Sequence, residues 1–255
     1  VRTRPLVMLD SHRSVDDARF TFQSCKSPDP KDRVQFYDSW ADNYEKVSLK
    51  DPVFVQDHSL MSYKAPELAA HFLSDNFPGS PEEALVLDVA CGSGWVAKLM
   101  VELGFRHFVG VDGSKGMLRR AAETGLYQDL RLAILGPQPL PAETGMFDVV
   151  IIVGALDAGF APVSVVRELC HAAKPGGFVC MARGDHTGEP ANRYKKDLER
   201  ELQLMEEEGL WRPAGVRRTD RYMEDPHVKT DRDRKDLQEE RYISGTVYLY
   251  QKCFY

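Results

Sequence analysis

Two carboxylates, Asp88 and Asp112, each close a short apolar run, and two glycines, Gly92 and Gly94, follow the first of them. The stretch Asp88-Val89-Ala90-Cys91-Gly92-Ser93-Gly94 comes directly after Ala84-Leu85-Val86-Leu87. It reads as a buried strand, a glycine turn and a helix opening near Trp95. Glycine admits positive φ and carries no Cβ, so a ligand can approach the main chain closely there. Asp112 ends the run Phe108-Val109-Gly110-Val111, eighteen residues past Gly94. In a strand–helix–strand unit that spacing brings the second acid to the tip of the neighbouring strand. A carboxylate so placed accepts hydrogen bonds from both ribose hydroxyls of a nucleoside. The chemistry on offer is nucleoside binding.

Two cofactors suit such a turn. Gly92-x-Gly94-x-x-Ala97 fits the dinucleotide pattern, with Asp112 as its ribose acid, which keeps an NAD-dependent oxidoreductase open as an alternative. A diphosphate, however, sits on the helix N-terminus as an anion, and Asp88, four residues before Gly92, would oppose it. The same carboxylate suits an ammonium group. S-adenosyl-L-methionine carries an ammonium, a sulfonium and a ribose, and no phosphate. The electrostatics favour it, with S-adenosyl-L-homocysteine as its product. A non-catalytic regulatory protein that only binds this cofactor is a further alternative.

These residues need a scaffold, and the apolar periodicity supplies one. Strands are expected at 84–89, 107–111, 130–135, 147–153 and 177–183, with helices at 94–104, 115–124 and 162–173 between them. That alternation indicates an α/β fold, a doubly wound and mostly parallel sheet with helices on both faces. Lys174-Pro175-Gly176-Gly177 is expected to turn the chain into the fifth strand. A helix over 190–209, a weak strand at 214–222 and a clear one at 246–253 follow. Residues 1–35, rich in charge, Ser and Pro, read as a loosely held N-terminal extension. Residues 36–255 read as a single domain, with an N-terminal helical lid at 36–77 and a charged loop at 224–241.

Composition sets bounds. The formal charge of −6 gives no general pull toward nucleic acid or an anionic membrane. No apolar stretch is long enough to span a membrane, and no signal peptide is recognisable. Five scattered cysteines read as reduced thiols, and the histidines show no metal-ligand spacing, so no metal is assigned. The setting expected is intracellular, cytoplasmic rather than nuclear. Oligomeric state is not assigned.

Val86–Gly94, Val109–Ser114, Leu140-Pro141 before Phe147–Val150, and Lys174–Gly177 occur in the order of four motifs. Together they resemble the class I S-adenosylmethionine-dependent methyltransferases over about residues 36–255. Phe147–Leu156 and Tyr242–Gly245 before Tyr248–Tyr250 are similar to a narrower methyltransferase-like group. The resemblance implies a seven-stranded Rossmann-like sheet whose last strand is antiparallel. It implies that Asp88, Ala90, Cys91, Gly92, Gly94, Asp112, Gly113, Met117, Leu135, Gly136 and Val153 hold the cofactor. Trp40 and Tyr44, on the first helix, would close over its methionine end, with Tyr63 on the same wall. Where relatives often place an acid for the adenine amino group, this chain has Leu135-Gly136-Pro137-Gln138. Adenine would then be held by backbone at Leu135–Gly136 or by Gln138, between Met117 and Leu135. Asp157 and His186 are candidates for the reaction mouth, and no catalytic residue is assigned. A small-molecule acceptor is favoured over a protein, without a nucleic-acid signature.

Overall fold

Branched aliphatic runs with side chains on alternate faces build the centre of the sheet. These are β1 (Leu85–Val89), β2 (His107–Asp112), β3 (Tyr127–Leu132), β4 (Phe147–Val153) and β5 (Ala173–Gly184). Two long strands, β6 (Trp211–Glu224) and β7 (Tyr242–Lys252), complete it. The computed structural model describes residues 14–42, 53–227 and 241–254. Strand order is β3-β2-β1-β4-β5-β7-β6, parallel throughout except that β7 runs antiparallel to both neighbours. The seven-stranded, doubly wound sheet with an antiparallel last strand is as expected.

Period-two alternation divides the core between two faces. Leu87, Val150, Ile152, Val179 and Met181 point to one side. There α7 (Val165–Ala172) and α8 (Glu189–Glu207) cover them with Leu169, Leu198, Leu202 and Met205. Val86, Val149, Ile151 and Cys180 point to the other. They meet Ala69 and Leu73 of α4 (Ala65–Asn76) and Ala97 and Met100 of α5 (Trp95–Glu102). Helix α6 (Lys115–Glu123) joins β2 to β3. The strand order reverses between β1 and β4, which opens a crevice at their carboxyl ends.

Four local differences from the sequence reading have physical causes. β3 starts at Tyr127 rather than 130, because this edge strand is only half-buried and lacks a continuous apolar run. Lys174–Gly177 does not precede the fifth strand but bulges within it, between the pairs Phe147↔Ala173 and Val149↔Phe178. β6 is longer than its weak signal because it is the other edge, with mostly exposed side chains. The segment read as a loose extension contains α1 (Val15–Ser24), opened by a reciprocal Ser14–Asp17 capping box, and the start of α2 (Pro30–Asp42). A short α3 (Val53–Leu60) follows. Tyr44 and most of the charged 224–241 loop lie outside the described residues.

Gly245 tests the packing where β5, β6 and β7 meet. A Cβ there would lie 2.2 Å from Tyr222 Cδ2 and 2.8 Å from the Arg183 carbonyl oxygen. Overpacking of this kind costs about 1–3 kcal/mol. Gly245→Ala should therefore lower Tm by roughly 5 °C or more in thermal denaturation. An unchanged Tm would contradict this packing.

Candidate functional site

The turn after β1 is built from backbone that few residues tolerate. Ala90, Gly92 and Gly94 all have positive φ, at 56°, 54° and 86°. For Ala90 this left-handed conformation is strained, as at many ligand-binding turns. The turn is held by hydrogen bonds to the tip of β2. Cys91 N donates to Val111 O at 3.0 Å. Gly92 N donates to Asp112 Oδ2, and Ser114 N to Asp112 Oδ1, each at 2.9 Å. Burial raises the Asp112 pKa, and the amides of Ser114 and Gly92 pull it back down.

Above this turn lies a cavity of about 240 Å³. Ala90, Cys91, Gly92, Asp112, Gly113, Met117, Leu135 and Val153 line it, with Trp40 across from them on α2. A Cβ on Gly92 would meet nothing within 4 Å, so its backbone faces open space. The Cys91 thiol is raised well above its usual range by burial and packs close to Gly110, as a small residue that fits.

Three residues expected here stand elsewhere. Asp88 is 1% exposed and outside the cavity wall, and its Oδ2 accepts from Tyr127 Oη at 2.7 Å. Its strand position turns it toward α5 and β3 rather than the crevice. Gly94 is the N-cap of α5 and faces Tyr127, whose ring would lie 3.1 Å from a Cβ at that position. Gly136 packs on Pro162, where a Cβ would come within 2.6 Å. Gln138 is also occupied, its Oε1 accepting from Ile134 N at 2.8 Å. The stretch that borders the cavity after β3 is Ala133–Leu135.

Other residues of the wall carried no motif. Asp38, on α2, accepts from Ser114 Oγ at 2.6 Å and from Gly116 N at 2.9 Å, which docks α2 on the N-terminus of α6. Gly116 permits the close approach, since a Cβ would sit 2.8 Å from that of Ala41. Trp40 Nε1 donates to buried Asp57, and its ring stacks on His58 at 5.7 Å. Phe22, Tyr63 and Trp95 surround that histidine edge-on. Of this roof the sequence reading singles out Trp40 and Tyr63, but not Phe22, Asp57, His58 or Trp95 as their partners.

At the β4–β5 end, the structure brings Asp157 and His186 together with Lys26 and Arg183. Lys26 Nζ lies 2.6 Å from Asp157 Oδ2, and His186 Nε2 lies 3.8 Å from the same oxygen. Burial first, and Lys26 next, push the His186 pKa down to about 4, so it is neutral near pH 7. Arg33 Nη2 donates to the Phe160 carbonyl, strapping the α1–α2 connection across the 157–160 loop. Among the described residues no group of three or more His, Cys, Asp or Glu can hold a metal ion.

Asp88 gives a pH test of this placement. Burial lifts its pKa from 3.8 to about 7, opposed by the Tyr127 hydrogen bond. Between those values the folded chain keeps a proton that the unfolded chain has released, so stability falls as pH rises through that window and levels off above it. Asp88→Asn should shrink the stability difference between pH 5 and pH 8 by up to about 2–3 kcal/mol, at ~1.36 kcal/mol per pKa unit. Urea unfolding at both pH values measures it. Equal pH dependence in both proteins would mean that Asp88 is not buried in this way.

Comparison with known proteins agrees with this geometry. Residues 86–177 match the methyltransferase domain family. Human methyltransferase-like protein 27 is 44% identical over 184 residues, covering 72% of this chain and 70% of its own. A ubiquinone biosynthesis O-methyltransferase of Parvibaculum lavamentivorans is 26% identical, over 63% of this chain and 64% of its own. Among solved structures, the methyltransferase in complex with the Haloferax volcanii Trm112 activator aligns with a TM-score of 0.56. It is 16% identical and covers 85% of this chain and 97% of that one, a likeness of fold. A nucleoside-type turn on a doubly wound sheet, joined to this degree of identity, places the chain in the class I S-adenosylmethionine-dependent methyltransferase family.

Proposed function

We propose that this methyltransferase passes the methyl group of S-adenosyl-L-methionine to a small organic acceptor held at the β4–β5 end of its cavity. The single observation that carries the reading is one continuous cavity spanning both sides of the strand-order reversal. The donor fits its β1–β3 side. Asp112 offers carboxylate oxygens to the ribose, and Gly92 lets the backbone lie against the ligand. Met117 and Leu135 supply apolar faces for adenine, whose edge would meet the backbone of Ala133–Leu135. Trp40 and Tyr63 supply aromatic faces, which favour a cation. Bound there, the donor provides a methyl on a cationic sulfur, already activated for in-line displacement. The chain's own contribution is to orient the acceptor behind that methyl and to keep water out, which can supply several kcal/mol.

The lid is the reason for preferring a small acceptor. Asp38 pins α2 to α6, while Lys26 and Arg33 pin the α1–α2 connection to the 157–160 loop. An acceptor must fit beneath these contacts. Proteins similar to this chain are named for tRNA, ribosomal protein L11 and ubiquinone biosynthesis, so relatedness does not choose among them. The FDVVIIVGAL and YISG stretches support a counterpart of the methyltransferase-like protein encoded in the Williams–Beuren syndrome chromosomal region. Free cysteines, most of them buried, support an intracellular and cytoplasmic setting. No helix among the described residues is long and apolar enough to cross a membrane.

Two measurements test this reading. Asp112→Ala should weaken S-adenosyl-L-homocysteine binding by about 10-fold or more in calorimetry, while NAD gives no binding heat with either protein. Unchanged affinity removes the ribose assignment. With a radiolabelled methyl donor and cell extract, label should enter the small-molecule fraction. Label confined to protein or RNA would replace the proposed acceptor class.

A further inference from the structure

Three buried polar atoms at the acceptor end of the cavity have no hydrogen-bond partner: Tyr222 Oη, and the facing pair Arg183 Nη2 and Asp157 Oδ1. Arg183 is 2% and Asp157 4% exposed, and both line the cavity. The remaining polar atoms of that pair are engaged. Arg183 Nε donates to Leu156 O at 3.2 Å and Nη1 to Asp185 Oδ1 at 3.3 Å. Asp157 Oδ2 accepts from Lys26 Nζ at 2.6 Å. Arg183 Nη2 and Asp157 Oδ1 face each other at 3.9 Å, too far for a direct hydrogen bond. Buried groups of this kind are costly to leave unmade, so the pair is shaped to hold a third group.

The chemistry of that group follows from the two atoms. It must accept a hydrogen bond from Nη2 and donate one to Oδ1. An ammonium has no lone pair for the guanidinium and is repelled by it. A carboxylate has no proton for Asp157 and is repelled in turn. An amide nitrogen does not accept. A hydroxyl oxygen does both, and a single oxygen can lie about 2.8 Å from two atoms at this separation. An alkyl amine is protonated near neutral pH, and the one lone pair of an aryl amine is delocalised into its ring, so neither accepts as well.

We propose that the gap between Arg183 and Asp157 seats the reacting hydroxyl of the acceptor, which makes this chain an O-methyltransferase for phenols. The inference rests on the methyl-transfer reading and adds the acceptor atom to it. The ring is indicated by the surrounding wall, where Tyr63, Tyr222, Met223 and Leu156 offer aromatic and apolar surface. A phenol also ionises near pH 10, within reach of a carboxylate base aided by a guanidinium, whereas an alkyl alcohol does not. In the transfer, the acceptor oxygen gives its proton to Asp157 Oδ1 and uses the freed pair to form the O–CH3 bond. The S–CH3 bond breaks with its electron pair staying on sulfur, which leaves a neutral thioether. Arg183 lies against the negative charge developing on oxygen. Asp157 then releases the proton to solvent, so the positive charge lost from sulfur leaves as that proton.

The test uses the full chain saturated with S-adenosyl-L-homocysteine and three probes: 4-methylphenol, 4-methylaniline and 4-methylbenzoate. The phenol should bind at least ~10-fold more tightly than the other two. In parallel, the wild-type chain with carbon-13 methyl donor and a protein-free cell extract should yield a base-stable O-methyl product by NMR. Asp157→Asn should slow that transfer by about 100-fold or more, with S-adenosyl-L-homocysteine affinity held within roughly 2-fold. Preference for the amine or carboxylate probe, or for none, overturns the proposal. So does an N-methyl, S-methyl or base-labile ester product, or a wild-type rate in Asp157→Asn. If that variant does not fold, the probe ranking and the product class decide. No transfer with the homocysteine product still bound would instead sink the methyl-transfer reading beneath it.

Discussion

The Asp112 carboxylate holds two loops at once. One oxygen takes the Gly92 amide from the turn after β1, and the other takes the Ser114 amide at the start of α6. With Cys91 N bonded to Val111 O, these contacts lock the β1 turn against the tip of β2. The conformation that results needs positive φ at residues 90, 92 and 94, which explains the glycines and the strain accepted at Ala90. Ser114 extends the chain of contacts, since its hydroxyl binds Asp38 and thereby seats α2. Helix α2 carries Trp40, so the roof of the cavity depends on the same carboxylate that lines its floor.

The N-terminal region belongs to the site. Helix α1 contributes Phe22 to the aromatic wall and reaches β6 through the buried Arg19–Glu224 pair. The α1–α2 connection contributes Lys26, which neutralises Asp157 beside Arg183.

The cavity divides by physical role at the strand-order reversal between β1 and β4. On the β1–β3 side the groups are backbone amides, a carboxylate and apolar faces, suited to a neutral ribose and a base. On the β4–β5 side they are a buried guanidinium and carboxylate in an aromatic surround. The family match runs over residues 86–177, from β1 through β4 into β5, and so spans both halves. Relatives are named for different substrates, as one fold can carry different sites.

Local sequence was enough to determine the central strands, the helices between them and the glycine turn after β1, but not helix α1. Val86–Asp88 and Val149–Ile152 alternate between two buried faces, and such patterns survive in any context. Edge strands β3 and β6 were less legible because exposed edges impose no strict apolar period. Asp88 was misread for a different reason: spacing shows that an acid ends a strand, but not which way it points. The strand's alternation sets it on the face of Val86, and Tyr127, thirty-nine residues away, holds the carboxylate there. Asp157 was legible as a candidate for the reaction mouth, but Arg183, at the end of the fifth strand, and Lys26 and Asp38 carried no signal of a role there. Only the tertiary structure could decide their roles, because charges from four separated segments acquire meaning when burial removes water from between them.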